Sequence, residues 1–311
     1  MERKEPVIGV IGLGGESVFL SVDHFHAPGE TLQARDLFVE AGGKGYNQAV
    51  AAARLGAKVC YFGAVGQDAG GALCRQVLQQ EGVVPVLQVI PHRNTAYACI
   101  LTNAEGENRV TVSRGAADDL SADFMHQQEG VVANCTHLLL GLEYPMEATV
   151  AALAMAKKYG IYTIFNPAPA IPLDLDFLRG FDLITPNLQE ATVLLGLSDV
   201  PRIQDLGPLF RQAGLCNVVV TLGSEGALLI TAEKQLLYPG ILVTAVDTTG
   251  AGDTFNAALV VAMGRGESLE QAMEYAINAS ALSVSGSHVM QSLPTQAQVQ
   301  EFYRSVTPVP L

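Results

Sequence analysis

Short apolar runs alternate along the chain with longer segments whose apolar positions recur at the spacing of an α-helix. The short runs predict buried strands at residues 7–11, 58–65, 137–141, 162–166, 183–186 and 217–221. The longer segments predict helices at residues 45–55, 70–81, 146–159, 206–213, 251–264 and 269–284. Strands that alternate with helices are typical of parallel β-α-β units, whose helices cover both faces of the sheet. We therefore expect an α/β fold with a mostly parallel sheet.

Two segments depart from this rhythm because their apolar and polar residues alternate with a period of two. They lie at residues 18–39 and 95–112 and predict antiparallel ribbons inserted into the α/β body. No internal repeat and no linker interrupts the chain, so we expect a single domain over residues 1–311. Its small β-sheet lid would be formed by residues 15–41 and 93–114, and a sheet of this kind commonly serves as a dimer contact.

Composition and charge narrow the class of function. The chain has 311 residues, a net charge of −13 and no cluster of lysine and arginine. An acidic chain without a basic stripe is not expected to bind nucleic acid or an anionic membrane. No apolar run reaches the ~18 residues of a membrane-spanning helix, and the N-terminus lacks the apolar core of a signal peptide. We predict a cytoplasmic protein, whose five scattered cysteines are buried and reduced: Cys60, Cys74, Cys99, Cys135 and Cys216.

The stretch DTTGAGDTF, which begins at Asp247, carries the clearest sign of chemistry. It lies between an apolar run at residues 241–246, which predicts a strand, and an apolar helical pattern. Such a junction presents backbone N–H groups and the positive end of a helix dipole to an anion. Gly250 and Gly252 let these N–H groups converge on a transferring phosphoryl group, and Asp253 can accept a proton from a substrate hydroxyl. Asp247 would hold a cation or fix the turn, and the plainer alternative for Asp253 is a helix cap.

A second glycine-rich turn, at Gly42 and Gly43, leads into a predicted helix. Lys44 and Asn47 lie in the first turn of that helix, where they and the backbone N–H groups would hold a polar substrate. The alternative is a flexible turn with N-terminal capping, and the spacing of a nucleotide P-loop is absent. A glycine cluster at residues 12–15 follows the first strand, but no helix follows it, so we do not expect dinucleotide binding.

Two further segments follow predicted strands, at the edge of the sheet where α/β proteins bind their ligands. Asn187 and Glu190 stand three residues apart at a helix start, where an amide and a carboxylate would organise hydrated Mg²⁺ near phosphates. The same spacing satisfies a capping box, so both interpretations stay open. Residues 221–226 (TLGSEG) place glycines at a strand end and would either contact a nucleotide phosphate or simply form a turn.

Taken together, these segments resemble the ribokinase-like (PfkB) family of carbohydrate kinases, and the GGKG-x-NQA and NPAPA blocks are most similar to its ribokinase branch. The resemblance covers nearly the whole chain, through PGET at 28–31, GGKGYNQAVAAARLGA at 42–57, NPAPA at 166–170, TPNLQE at 185–190, TLGSEGA at 221–227 and DTTGAGDTF at 247–255. It implies a three-layer α/β/α fold with a β lid that forms a homodimer contact. It also implies transfer of the γ-phosphoryl group of Mg-ATP to a hydroxyl of a pentose or related sugar.

The resemblance also implies roles for individual residues. Asp253 would be the general base, and the N–H groups of Gly250, Ala251 and Gly252 would form an anion hole for the γ-phosphoryl group. The remaining implied roles concern the sugar, the nucleotide and cations. The sugar pocket would be lined by Gly43, Lys44, Asn47 and Glu143; ATP would be bound by Asn187, Thr221, Gly223, Ser224, Gly226 and Asn278; Glu190 would bind Mg²⁺ through water, and Asp247 with Thr249 would form part of a loop for a monovalent cation such as K⁺.

The chain departs from the family pattern in places. Ribokinases carry an Asn-x-Asp pair after the first strand that holds ribose hydroxyls, whereas the corresponding residues here are Gly15, Glu16 and Ser17. Glu16 would then supply a carboxylate to the sugar from a shifted position. The loop after the last long helix usually contains a Gly-Ala pair, but residues 285–292 read SGSHVMQS. Tyr46 adds bulk where a small residue is frequent, and we expect it to narrow the sugar pocket.

Two alternatives to a sugar kinase follow from these departures. A nucleoside kinase of the same fold would use Tyr46 to stack a base in a pocket that lacks the ribose-holding aspartate. A protein that binds a sugar or nucleotide without catalysis would account for the altered residues 15–17. The second alternative gives no reason to retain every group needed for phosphoryl transfer.

Overall fold

The structure, a computed structural model, describes residues 6–311; residues 1–5 of the predicted domain lie outside the described residues. The strands are Val7–Ile11 (β1), Gly15–Ser21 (β2), Asp36–Gly42 (β3), Lys58–Gly66 (β4), Val84–Ile90 (β5), Ala96–Thr102 (β6), Asn108–Ser113 (β7), His137–Leu140 (β8), Tyr162–Phe165 (β9), Leu183–Ile184 (β10), Val218–Thr221 (β11), Gly226–Ile230 (β12), Gln235–Pro239 (β13) and Val309–Pro310 (β14).

The α-helices are Lys44–Arg54 (α1), Ala69–Gln80 (α2), Ala122–Gln127 (α3), Glu129–Val132 (α4), Met146–Tyr159 (α5), Leu175–Leu178 (α6), Leu188–Leu194 (α7), Ile203–Gln212 (α8), Ala251–Gly264 (α9), Leu269–Ser283 (α10), Val289–Ser292 (α11) and Gln296–Phe302 (α12). None of the helices described between residues 6 and 311 is both long enough and apolar enough to cross a membrane.

The main sheet joins ten of the strands described, in the order β14-β13-β12-β11-β10-β9-β8-β1-β4-β5. The pairs from β11 to β5 are parallel, whereas β12, β13 and β14 add antiparallel strands at one edge. Alternate residues of a central strand face different helices: Leu139 packs with α1, α9 and α10, whereas Leu138 and Leu140 pack with α5. Helices therefore cover both faces, which confirms the predicted three-layer α/β/α architecture.

A separate four-stranded sheet has the order β3-β2-β6-β7. Strand β2 pairs with β3 in the antiparallel direction and with β6 in the parallel direction, and β6 forms an antiparallel hairpin with β7. The strands thus come from the two segments whose period-two alternation predicted inserted ribbons. We call this sheet the small sheet.

The strand predicted at residues 241–246 is wrong. This segment has no regular structure, and the side chain of Leu242 is 89% exposed. Alternation of apolar residues shows which side chains share a face, but a strand also needs a neighbouring strand to satisfy its backbone. Here β14 already pairs with β13 at that edge of the sheet, and the segment lines a cleft instead.

The glycine cluster at residues 12–15 has a packing role. A Cβ atom on Gly45 would lie 2.5 Å from the Cα atom of Gly12, so the backbones of α1 and of the turn after β1 touch directly. Only glycine at both positions allows this approach. The cluster therefore brings the N-terminus of α1 onto the end of β1.

The five cysteines are free thiols in the structure. Cys74 and Cys135 are buried, as expected, whereas Cys60, Cys99 and Cys216 are partly exposed. The prediction that all five are buried is therefore wrong for three of them. Apolar sequence context predicted burial, but it does not report how completely the helices cover each strand.

Candidate active site

The N-termini of α1 and α9 meet at the edge where the parallel strands end. Gly43 is the N-cap residue of α1, and Gly250 is the N-cap residue of α9. In the first turn of α9, Asp253 is only 5% exposed. Its Oδ2 atom accepts a hydrogen bond from Asn47 Nδ2 at 3.0 Å, and its Oδ1 atom accepts one from Gln48 Nε2 at 3.3 Å. The two glycine-rich turns are thus joined through the Asp253 carboxylate.

Charges of both signs surround Asp253. Burial raises the pKa of Asp253, and the Lys44 ammonium and the two amide donors oppose this rise. The charge of Asp253 in turn raises the pKa of Lys44. Burial, with the charge of Asp253, raises the pKa of Glu143 to about 7. A carboxylate that is desolvated but held by donors has the properties of a general base, because it is oriented and gains from taking up a proton.

Asn47 leaves one polar atom without a partner. Its Oδ1 atom is buried and, among the described residues, receives no hydrogen bond. A Cβ atom on Gly42 would lie 3.8 Å from this oxygen and 3.1 Å from the hydroxyl oxygen of Ser17, which places Ser17 close by. An unpaired buried acceptor costs about 1–3 kcal/mol, and a ligand that donates a hydrogen bond removes that cost. The pocket beside Asp253 therefore offers an acceptor to a hydroxyl group.

The structure brings Ser17 to this pocket but not Glu16. Successive residues of a strand point to opposite faces of the sheet. Glu16 faces α2, where burial and the charges of Asp68 and Glu16 raise the pKa of the Cys74 thiol. The expected contribution of Glu16 to the sugar pocket is thus corrected, since a one-residue shift along β2 reverses the side of the sheet that a side chain occupies.

Tyr46 does not reach the pocket either. It is fully buried, its hydroxyl donates to the Cys74 carbonyl oxygen at 2.8 Å, and its ring meets the edge of Tyr61 at a centroid distance of 5.4 Å. The expectation that Tyr46 narrows the sugar pocket is wrong. Its proposed stacking against a nucleoside base is also wrong, which removes the main support for that alternative.

A small cavity next to the N-terminus of α1 is lined by Lys44, Gln48, Glu143 and Asn166, among others. Glu143 borders it, and Glu143 Oε2 accepts a hydrogen bond from the Gly45 N–H at 3.2 Å. Gln48 and Asn166 lie in the GGKG-x-NQA and NPAPA segments but were given no role in the site, and Gln48 Nε2 donates a hydrogen bond to Asn166 Oδ1 at 3.3 Å. The helical spacing offered a signal for Gln48, because residues four apart, such as Lys44 and Gln48, share a helix face.

The turn before α9 has a backbone geometry that could present N–H groups to an anion. Gly250 has φ 78°, a left-handed conformation that favours glycine, and Gly252 opens onto free space. The first N–H groups of a helix have no acceptor within the helix, so they are available to an anion. The N–H of Ala251 differs from its neighbours because it donates to the Thr248 carbonyl oxygen at 3.3 Å.

A cleft of about 290 Å³ lies beside this turn. It is lined by Thr221, Gly223, Ser224, Gly226, Gly240, Ile241, Leu242, Val243, Ala245, Thr248, Ala251, Gly252, Phe255, Ile277, Ser280, Ala281 and Val284. Four residues predicted to contact the nucleotide are among them, and the apolar side chains offer a surface to a flat base. The cleft reaches Ala251 and Gly252 and therefore ends next to Asp253.

Asn278 does not line this cleft. Its side chain is fully buried, donates to the Glu274 and Arg304 carbonyl oxygens and accepts from the Arg304 N–H. The predicted nucleotide contact is thus corrected, because Asn278 lies on a different face of α10 from Ile277 and Ala281, which do line the cleft. Its amide holds the C-terminal segment in place.

Asn187 and Glu190 form the capping box that their spacing allows. Asn187 Oδ1 accepts the Glu190 N–H at 2.8 Å, and Glu190 Oε2 accepts the Asn187 N–H at 2.8 Å. Burial raises the pKa of Glu190, and the charges of Lys44 and Asp253 act on it as well. A carboxylate this close to the site fits Mg²⁺, which usually takes one or two carboxylates and otherwise water and phosphate oxygens.

Residues 6–311 contain no group of three or more His, Cys, Asp and Glu side chains that could hold a metal ion by themselves. In the loop predicted for a monovalent cation, Asp247 Oδ1 accepts the Thr249 N–H at 2.9 Å. Asp247 therefore fixes the turn, which was one of the two roles expected of it.

The sequence profile of the pfkB family of carbohydrate kinases matches residues 16–296. The chain belongs to this family. It is 36% identical over 296 residues to the ribokinase of Haemophilus influenzae, covering 94% of this chain and 97% of that protein. It is 32% identical over 299 residues to the deoxyribokinase of Salmonella typhi, covering 95% of this chain and 98% of that protein.

The structure of Arabidopsis thaliana ribokinase complexed with ribose and ATP matches this PfkB kinase with a TM-score of 0.88 at 27% sequence identity, covering 97% of this chain and 100% of that one. The ribokinase-like fold inferred from the sequence is thereby confirmed. So is the class of enzyme: the PfkB kinase is an ATP-dependent carbohydrate kinase.

Proposed function

We propose that this PfkB kinase transfers the γ-phosphoryl group of ATP to a hydroxyl of ribose or a closely related pentose, with Asp253 as the general base. The observation that carries the proposal is the buried Asp253 carboxylate, which Asn47 and Gln48 hold between a hydroxyl-accepting pocket and the cleft. Similarity to proteins named ribokinase and deoxyribokinase supports the class of sugar.

The geometry supports a direct transfer. The substrate hydroxyl gives its proton to an Asp253 oxygen while its own oxygen forms a bond to the γ-phosphorus atom. The bond from the γ-phosphorus to the bridging oxygen breaks, and ADP leaves with the electron pair. The N–H groups of Gly250 and Gly252 stabilise the charge on the transferring group, because they point from the positive end of α9. Asn47 and Gln48 keep the carboxylate oriented throughout.

The proposed reaction also involves cations. Glu190 would hold Mg²⁺ through water, and Mg²⁺ when bound neutralises the phosphate charge of ATP. Asp247 and Thr249 stay candidates for a monovalent-cation loop. A titration of activity with K⁺ at constant ionic strength tests that role, and equal rates in Na⁺ and K⁺ would remove it.

The acceptor pocket supports a sugar rather than a nucleoside. Its polar groups are the Asn47 oxygen, the Ser17 hydroxyl, the Lys44 ammonium and the Glu143 carboxylate, all suited to sugar hydroxyls. Tyr46 lies in the core and offers no stacking surface, and the buried Tyr144 that lines the cavity accepts a hydrogen bond from the Gly141 N–H through its hydroxyl. A site that binds without catalysis is not favoured, because Asp253 keeps both of its orienting donors.

We also propose that residues 1–311 form one kinase domain, that the small sheet is its lid, and that two copies associate through it. Apolar side chains are exposed on both faces of this sheet: Leu37, Val39 and Tyr97 lie on one face, and Val110 and Val112 lie on the other. Exposed apolar surface of this kind marks interaction sites in soluble proteins. A cytoplasmic location stays a prediction from the sequence.

The proposed function is tested by a coupled assay for ADP release with a panel of acceptors: D-ribose, 2-deoxy-D-ribose, other pentoses, hexoses and nucleosides. We expect turnover with a pentose, and ³¹P NMR of the product will identify the hydroxyl that is phosphorylated. Turnover with nucleosides alone would contradict the proposed substrate class, and no turnover with any acceptor would contradict catalysis.

A further inference from the structure

A loop at residues 285–292, which we call the C-terminal loop, is held by a carboxylate from the small sheet. Glu40 lies in β3 and is only 8% exposed. Its Oε1 atom accepts the Val289 N–H at 3.2 Å, and its Oε2 atom accepts the Met290 N–H at 3.2 Å. Burial raises the pKa of Glu40, and these two N–H groups oppose the rise. The buried Glu40 carboxylate thus holds two backbone N–H groups of a segment distant in sequence.

The small sheet also contacts His288, the residue that precedes Val289 and Met290. His288 has φ 62° and is the only non-glycine residue with a positive φ among residues 6–311. Its ring stacks on Phe38 of β3 at a centroid distance of 3.9 Å and meets Phe19 of β2 edge-on at 5.4 Å. A side chain rarely adopts this backbone conformation unless its surroundings enforce it. The small sheet supplies those surroundings.

The C-terminal loop in turn touches the anion site. A Cβ atom on Gly250 would lie 2.6 Å from Val289 Cγ1, so the Val289 side chain packs directly against the Gly250 backbone. Gly250 is the N-cap residue of α9, two residues before Gly252 and three before Asp253. The Val289 side chain therefore limits how far the Gly250 backbone can shift towards the C-terminal loop.

The small sheet also contacts the acceptor pocket, next to the position of Glu40. Ser17 and Glu40 are direct cross-strand partners in the register of β2 and β3. Directly opposite residues of paired strands project to the same face of the sheet. Ser17 lies near Asn47 Oδ1, so one face of the sheet carries both a group beside the pocket and the carboxylate that holds the loop.

We propose that Glu40 is a positioning residue, which couples the small sheet to the anion site through the C-terminal loop. The proposal rests on the proposed function, because it assigns Glu40 a part in phosphoryl transfer. A sugar bound next to Ser17 fixes β2, and β2 fixes its cross-strand partner Glu40 in β3. Glu40 then holds the N–H groups of Val289 and Met290. The Val289 side chain in turn fixes the Gly250 backbone. Glutamine cannot replace the carboxylate fully, because its amide has one acceptor oxygen for two N–H donors.

The test uses steady-state kinetics on three variants of the full chain with ATP and the pentose that the wild type phosphorylates best. Glu40→Ala is expected to lower kcat by about tenfold or more with KM for ATP nearly unchanged, since it removes two charge-assisted hydrogen bonds behind the anion site. Glu40→Gln should recover part of the loss. Asp36→Ala is the matched control: this carboxylate lies on the same strand, is exposed and bonds only the N–H of Leu37.

Hydrogen exchange gives the second readout, one that loss of fold stability alone would not produce. With the same pentose and ADP, the amides of Val289 and Met290 in the wild type should gain protection when the sugar binds. In Glu40→Ala that gain should vanish, while amides of the main sheet keep their protection. Thermal unfolding of each variant confirms that the folded protein is being compared.

Wild-type kcat in Glu40→Ala, or a sugar-dependent gain of protection that survives the substitution, would overturn the inference and leave the proposed function intact. If the wild type phosphorylates no acceptor, the proposed function fails instead. Exchange without sugar then decides the remaining point, because equal protection of these two amides in wild type and Glu40→Ala would show that Glu40 does not hold the loop.

Discussion

At the scale of single residues, the active site depends on carboxylates that are removed from water. Glu143 and Glu190 each lie within electrostatic reach of Asp253 and of the Lys44 ammonium, and burial raises the pKa of all three acids. Burying such charged groups lowers the free energy of unfolding, and protons bind them more tightly in the folded protein than in the unfolded chain. The stability of the protein therefore depends on pH through these groups.

The first prediction concerns Glu143 and pH. Its pKa of about 7 in the folded protein exceeds the ordinary value of 4.5, so its stabilising contribution is complete below pH 4.5 and is lost as pH rises through about 7. Glu143→Gln has no such loss. We expect the Tm of this variant, relative to the wild type, to rise as pH is raised from about 5 to about 8.

Thermal unfolding in the absence of ligands measures this difference. Glu105→Gln serves as the control, because it removes an exposed glutamate in the turn of the β6–β7 hairpin. A Tm difference for Glu143→Gln that does not change over the pH range would contradict the assigned burial.

The site residues show what a sequence motif can and cannot convey. Asp253 and Asn47 were predicted because their motifs place them at helix starts, and the structure brings them into contact. Glu16 and Asn278 were misplaced because a motif gives no information about which face of a strand or helix a side chain occupies. Gln48 was missed because its role arises only from the contact between α1 and α9.

At the scale of elements, the turn into α9 is the most constrained part of the site. Gly250 combines a left-handed backbone with contact to Val289, whereas Gly252 lies within the helix and a Cβ there meets nothing within 4 Å. Gly250 and Gly252 therefore look equivalent in the sequence, but only Gly252 has room for a side chain. The strand predicted just before them failed for a related reason, because alternation in residues 241–246 does not report the absence of a partner strand.

The second prediction compares these two glycines. Gly250→Ala should lower the free energy of unfolding by about 1–3 kcal/mol, because the alanine is strained at φ 78° and collides with Val289. Gly252→Ala should leave stability unchanged or raise it by up to about 1 kcal/mol, since alanine favours a helix. Chemical denaturation measures both values. Equal destabilisation by the two substitutions would contradict the assigned backbone geometry.

At the scale of the whole molecule, the predicted layered body is confirmed, whereas the association of copies through the lid stays a prediction. Alternating strands and helices predict a covered parallel sheet, and the structure has it. The antiparallel strands β12 to β14 were missed because their runs are short and pair at the sheet edge. The exposed apolar residues of the small sheet, such as Val110 and Val112, indicate a contact surface, but one chain does not show its partner.

The third prediction tests association through the small sheet. Val112→Glu places a charge on the outermost strand β7, where the side chain is 55% exposed, and we expect it to convert a dimer into monomers. Val150→Glu is the control, because Val150 is 50% exposed on α5 of the main body. Light scattering coupled to size-exclusion chromatography measures the mass. A wild type that is monomeric at all concentrations would refute the contact.

The central claim is that Asp253 accepts the proton of the sugar hydroxyl, and turnover of Asp253→Asn tests it most directly. Asparagine retains the size of the side chain but is not a base, so kcat for the pentose should fall by about 10²–10⁴-fold while ATP still binds. Calorimetry with ATP verifies binding, and unfolding verifies the fold. A variant that binds ATP and retains a kcat close to that of the wild type would contradict the account.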